Sequence, residues 1–157
     1  MALAVGAKAP NFTLFNTEKQ EVTLASLIGH PVVLQFFPAA FTGVCTTQLC
    51  TMRDDLNYYN TLNTKVYGIS VDSLFALGKF KEEQAYNFDL LSDYNKEASA
   101  AFDVLYDVFP AFGMKGVAKR AAFVIDATGN IAYSEECPTP GDLPNFEAIK
   151  ACLQSLK

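Results

Sequence analysis

Val32-Val-Leu-Gln-Phe-Phe-Pro-Ala-Ala-Phe-Thr-Gly-Val-Cys-Thr-Thr-Gln-Leu-Cys50 passes from a β-branched and aromatic run, through a proline and a short glycine-containing loop, into a helical pattern. A nearly continuous apolar run suits a strand buried on both faces of a sheet. Lys65-Val-Tyr-Gly-Ile-Ser-Val71 and Ala121-Ala-Phe-Val-Ile-Asp126 read the same way, and these runs are the central strand candidates. Apolar spacing and end signals predict helices from Cys45 to about Tyr59, Ser73 to about Gln84, Asn95 to about Leu105 and Asn145 to Leu156. Strands that alternate with helices imply an α/β sandwich. Ahead of it, Asn11-Phe-Thr-Leu-Phe15 and Glu21-Val-Thr-Leu24 alternate apolar and polar residues around a polar turn, as an N-terminal β-hairpin does. The glycine-containing turn Asp126-Ala-Thr-Gly-Asn130 joins Ala121–Ile125 to Ile131–Tyr133 as a late antiparallel hairpin, so the sheet is expected to be mixed.

The chain has 157 residues, half of them apolar, which is enough for one domain spanning 1–157 around one core. Repeats, linkers and low-complexity segments are absent, and Cys137-Pro-Thr-Pro-Gly-Asp-Leu-Pro144 reads as the loop before the last helix. A net charge of -5 with no basic run removes the electrostatic footprint that nucleic acid or an anionic membrane requires, so neither is an expected partner. The N-terminus is too short and too weakly apolar for a signal peptide, and no apolar stretch is long enough for a membrane span. A soluble, cytoplasmic protein is therefore expected. Reduced thiols are the default for Cys45, Cys50, Cys137 and Cys152, because a chain this apolar does not need disulfides to fold. The single histidine, His30, lies before Pro31, and no Cys-x-x-Cys pair occurs, so no zinc site and no cofactor are expected.

Cys45 falls in the first turn of a helix. Unpaired backbone N–H groups and the positive end of the helix dipole favour an anion there, and hence a thiolate. Stepping at the helical period places Leu49, Met52, Leu56 and Tyr59 on one stripe with Cys45, while Cys50 falls beside Arg53, Asp54 and Asn57. Cys45 is thus expected to face inward and Cys50 outward. Phe36, Phe37, Phe41 and Pro38 nearby suggest a small apolar pocket suited to a small electrophile. The residues alone also allow Cys45 to be an ordinary buried cysteine.

Pro38-Ala-Ala-Phe-Thr42-Gly-Val-Cys45 resembles the peroxiredoxin active-site pattern Pro-x-x-x-Thr-x-x-Cys, and Arg120 before Ala-Ala-Phe-Val-Ile-Asp126 is similar to that family's active-site arginine. Gly6-Ala-Lys-Ala-Pro-Asn-Phe-Thr-Leu14, Tyr67-Gly-Ile-Ser-Val71 and Leu90-Leu-Ser-Asp93 extend the resemblance over nearly the whole chain. It implies a thioredoxin-like fold and a thiol peroxidase. In that reading the Cys45 thiolate attacks a peroxide and becomes a sulfenic acid. Thr42, Arg120 and backbone N–H groups near Val44 and Cys45 bind the peroxide oxygens, and Pro38 shields the sulfur.

The wording Phe-Phe-Pro-Ala-Ala-Phe-Thr-Gly-Val-Cys resembles the one-cysteine E-type enzymes. Cys50, five residues after Cys45, matches instead the resolving position of the Q-type, or bacterioferritin comigratory, enzymes. Gln48 stands where many relatives carry Glu. The resemblance therefore implies a Cys45–Cys50 disulfide recycled by a thioredoxin- or glutaredoxin-type reductant, with a one-cysteine cycle as the alternative. Cys152, spaced with Phe146, Ile149 and Leu153, reads as a packing residue, and Cys137, in the proline-rich loop, is either an incidental loop cysteine or an alternative resolving thiol and is left unassigned. Phe109-Pro-Ala-Phe-Gly-Met114 is a candidate homodimer surface by analogy with the same region of relatives, with ordinary core as the alternative. A thioredoxin-like disulfide oxidoreductase fits less well, because four residues separate Cys45 from Cys50 rather than two. A thioredoxin-fold binding module with an unreactive Cys45 is a further alternative.

Overall fold

A computed structural model describes residues 1–157. The strands are β1 (Thr13–Asn16), β2 (Glu21–Thr23), β3 (Val32–Phe36), β4 (Lys65–Ser70), β5 (Asp89–Ser92), β6 (Ala121–Ile125) and β7 (Ile131–Glu136). They form one seven-stranded sheet in the order β2-β1-β5-β4-β3-β6-β7. The β3·β4 and β4·β5 pairs are parallel, and the other neighbours are antiparallel. The mixed sheet and both hairpins are as the sequence predicts. β5 is the strand that the sequence reading passed over: Asp89-Leu-Leu-Ser92 is too short to show a period, and its burial comes from the strands on either side of it.

Alternation along β3 divides the core. Val32, Leu34 and Phe36 pack with Phe102, Phe123 and Ile125 under the N-terminal segment, the 3-10 turn Leu24–Leu27 and α4 (Glu97–Ala101). Val33 and Phe37 point the other way, into a cluster with Leu49, Met52, Leu77, Phe80, Ile149 and Leu153. That face carries α1 (Gly43–Asp54), α2 (Leu56–Thr61), α3 (Leu74–Gln84) and α5 (Phe146–Ser155). No helix is long and apolar enough to cross a membrane.

Helix boundaries differ from expectation at two places. The pattern from Cys45 to Tyr59 is broken at Asp55 (φ -100, ψ 6) into α1 and α2. Two adjacent aspartates at the negative end of a helix oppose its dipole, and Asp55 turns to an ion pair with Lys150 Nζ at 2.9 Å. The segment from Asn95 to Leu105 is helical only over Glu97–Ala101. Asp103 takes a left-handed φ of 57, and the chain then runs out to bridge Leu105 to Ala118, with Phe102 and Val104 buried.

Candidate active site

Pro38 follows β3, cannot donate to a ladder, and is buried. Beyond it Phe41 holds a left-handed φ of 67, a conformation that costs a bulky residue roughly 1–3 kcal/mol, with its ring 5.1 Å from that of Phe80. Asp72 braces this loop: its Oδ2 accepts from the Ala40 N–H at 2.8 Å and from Ser70 Oγ at 2.7 Å. Thr42, extended at the N-cap of α1, donates its hydroxyl to the Ala39 carbonyl at 2.8 Å and makes no side-chain cap. The first helical N–H that turns back is that of Thr46, to Thr42 O at 2.9 Å, so those of Gly43, Val44 and Cys45 lack an i−4 partner.

Cys45 is the third residue of α1 and only 1% exposed. The largest cavity, about 610 Å³ beside Phe15, Phe75 and Tyr94, is lined by none of the site residues. Arg120, one residue before β6, reaches the thiol across 75 positions of sequence, with Nη1 3.1 Å from Cys45 Sγ. The same Nη1 donates to Gln48 Oε1 at 2.9 Å, and Nη2 donates to the Pro140 carbonyl at 2.8 Å. Gln48 Nε2 in turn donates to Gln35 Oε1 at 2.8 Å and to the Phe36 carbonyl at 3.3 Å. None of these partners is a carboxylate, so the guanidinium charge is uncompensated where it meets the sulfur, in a medium that strengthens it.

Gln35 is the residue that makes room for this arrangement. It is fully buried in an otherwise apolar strand, and its register partners are Gly68 on β4 and Ala122 on β6. Small residues on both sides leave space beneath α1 for the two amides. Gln35, Gln48 and Asp72 were not read as site residues; a glutamine in the middle of a buried apolar run was the visible signal for the first. The cation before β6, Arg120, was legible, and the structure brings it together with Cys45. Thr42 and Pro38 lie on the same loop, Thr42 exposed and Pro38 buried.

Cys50 departs from expectation. Rather than standing free on an outer face, it is half-buried and packs against the core cluster on the α1 side of the sheet, with Sγ 3.6 Å from Gln84 Oε1 at the end of α3 and 3.7 Å from Tyr86 Oη. Cys137 is buried, and burial first and Glu135 next push its thiol up to about 11 despite the opposing charge of Arg120. Cys152 packs on the α5 side of the core, 3.5 Å from the Ala132 carbonyl, and burial raises its thiol as well. Phe109–Met114 is not core: Phe112 is 90% exposed.

A thiol at a helix N-terminus over a mixed sheet, with an arginine from just before the neighbouring strand β6 on its sulfur, defines a cysteine-based redox site of thioredoxin-like architecture. Residues 5–134 match the AhpC/TSA family, and the chain belongs to that family of peroxiredoxins, which are thiol peroxidases. Peroxiredoxin Bcp of Escherichia coli is 34% identical over 132 residues, covering 83% of this chain and 84% of that one. Among solved structures, peroxidoxin BcpB of Mycobacterium tuberculosis superposes with a TM-score of 0.87 at 27% identity, over 99% of each chain. A peroxiredoxin-like protein of Aquifex aeolicus gives 0.87 at 25%, over 100% of this chain and 90% of the other. These likenesses bear out the resemblance carried by the Pro38–Cys45 segment, and they turn the reading away from a thioredoxin-like disulfide oxidoreductase and from a binding module.

Proposed function

We propose that Cys45 is the peroxidatic residue and that it reduces hydrogen peroxide and organic hydroperoxides through a sulfenic acid. The observation that carries this is the 3.1 Å approach of Arg120 Nη1 to Cys45 Sγ at the start of α1. The thiolate attacks the distal peroxide oxygen, so that an S–O bond forms as the O–O bond breaks. The sulfur is oxidised, and the departing oxygen leaves as water or an alcohol after taking a proton. Arg120 and the free N–H groups of the first turn stabilise the charge that develops on that oxygen. Thr42, whose hydrogen is used on Ala39, has lone pairs left to accept the peroxide hydrogen. Buried Pro38 keeps bulk water from the sulfur.

Cys50 then resolves the sulfenic acid as a Cys45–Cys50 disulfide, which a thioredoxin- or glutaredoxin-type protein of the cytoplasm reduces. Cys137 is a poor competitor, since its thiol stays protonated at neutral pH. The exposed Phe109–Met114 segment is the surface we assign to homodimerisation.

Mass spectrometry after one equivalent of peroxide tests the cycle, with a Cys45–Cys50 peptide as the expected product. Its absence, together with full turnover of Cys50→Ser on thioredoxin, would favour a one-cysteine cycle. For Cys45→Ser we expect a native fold with turnover below about a tenth of wild type. Higher residual activity sinks the assignment of Cys45.

A further inference from the structure

Residues five apart on an intact helix have Cα atoms ~8–9 Å apart, beyond the roughly 7 Å limit for a disulfide. Cys50 can therefore reach Cys45 only if the first turns of α1 unwind, and the contacts that oppose unwinding set the rate of resolution. On its sheet side α1 is held by the buried Cys45, Gln48 and Leu49 and by the Arg120 and Gln35 hydrogen bonds; on its outer side the end of α3 and the short connection to β5 grip it at both ends. At the C-terminal end, Arg53 Nη1 donates to the Gln84 carbonyl at 2.6 Å, and Asn87 Nδ2 donates to the Arg53 carbonyl at 3.3 Å. These contacts lie beyond Cys50 and need not break. At the other end, on this outer side, Tyr86 holds the turn that must open: its Oη donates to the Thr46 carbonyl at 3.4 Å and lies 3.7 Å from Cys50 Sγ.

The tyrosine is fixed in place. Ala85 takes a left-handed φ of 52 to end α3 and turn the chain, and the Tyr86 ring is 4% exposed. It packs edge-on against Phe80 at 5.2 Å and tilted against Phe88 at 5.5 Å. Burial first, and the Cys50 sulfur next, push its hydroxyl well above the usual tyrosine range, so it remains a neutral donor. Its one proton serves either the Thr46 carbonyl or the Cys50 sulfur.

Resting on the Cys45–Cys50 reading above, we infer that Tyr86 is a positioning residue for the second half of the cycle: its hydroxyl latches the Thr46–Cys50 turn shut, while the Arg53 contacts act as the hinge. In the step it controls, the Cys50 sulfur attacks the Cys45 sulfenic sulfur. An S–S bond forms and the S–O bond breaks. Cys50 is oxidised, the sulfenic sulfur is reduced, and the thiol proton leaves with the hydroxyl as water. While the latch holds, a second peroxide competes for the sulfenic acid and drives it to sulfinic acid.

Tyr86→Phe tests this because it keeps the ring packing and removes only the hydroxyl. Stopped-flow mixing with peroxide, followed by quenched mass spectrometry, separates Cys45 oxidation from disulfide formation. We expect disulfide formation to accelerate about three- to tenfold relative to the peroxide step, the factor for one neutral hydrogen bond. Amide exchange from Val44 to Met52 in the reduced protein should speed by a similar factor, and less sulfinic acid should form at high peroxide. If the disulfide forms in wild type but the substitution leaves its rate and the exchange unchanged, the latch is wrong and the disulfide reading stands. Slower formation also overturns it, since the hydroxyl would then be activating Cys50. If wild type forms no Cys45–Cys50 peptide at all, both readings fall together.

Discussion

At the scale of single residues, Arg120 carries the most consequence. The residue is 3% exposed, and its guanidinium is hydrogen-bonded to Cys45, Gln48 and Pro140 with no carboxylate among them. Arg120→Met keeps much of the volume and removes the cation, so Cys45 should be alkylated more slowly at neutral pH and its oxidation by peroxide should slow about 10²-fold. Both rates need to fall together. Unchanged rates would show that the close approach of Arg120 Nη1 has no role in the reaction. Gln48 and Pro140 explain why the cation can lie under α1 without a carboxylate: the Gln48 Oε1 and the Pro140 carbonyl accept from the buried guanidinium, and Gln35 Oε1 accepts from Gln48 Nε2 and so orients that amide. The nitrogen left without a partner is Arg120 Nε. Cys45 and Arg120 were legible as residue types in a pattern, but the amides were not, because a polar side chain inside a strand declares its partner only once the strand is packed.

At the scale of elements, α1 lies where it does because β4 is flat beneath it. A Cβ at Gly68 would stand 2.7 Å from Leu90 Cδ2, 3.3 Å from Leu49 Cδ2 and 3.4 Å from Phe37 Cε1. Leu49 is one turn beyond Cys45 on the stripe that faces the sheet, so crowding there lifts the helix that presents the thiol. Gly68→Ala should cost about 1–3 kcal/mol in urea unfolding and slow the peroxide step while leaving far-UV dichroism unchanged. Wild-type stability and rate would mean that the leucine tips yield freely and that the close approach of α1 is not required. Of the inward stripe readable from the helical period, Leu49, Met52 and Tyr59 are fully buried, while Leu56, just past the break at Asp55, is half-buried. The break at Asp55 and the cover over Cys50 were not readable, since the first depends on Lys150 of α5 and the second on the path of the chain after α3.

At the scale of the whole molecule, one sheet with a core on each face predicts one cooperative unfolding transition, with fluorescence and dichroism coincident. Its pH dependence follows from buried acids held neutral. Cys137 rises from 9.0 to about 11, and Tyr59, Tyr86 and Tyr133 rise from 10.0, in each case first through burial. An acid with a raised folded value binds its proton more tightly folded than unfolded. Its stabilisation is therefore present below about 9 for the thiol and is lost between about 9 and about 11, with the tyrosines adding to the loss from about 10 upward. The urea midpoint should thus fall steadily through that window, and a flat profile would contradict the burial of these groups. The sequence by itself determined the α/β alternation, the hairpins at either end of the sheet, and the cysteine-bearing turn of Pro38 to Cys45, because periodicity and turn chemistry act over a few neighbouring residues. Only the tertiary structure decided the rest: β5 inside the sheet, Arg120 on a sulfur 75 residues away, and Tyr86 against Cys50. Those contacts depend on which strands pair and where loops return, and pairing over long separations leaves no periodic mark on either partner.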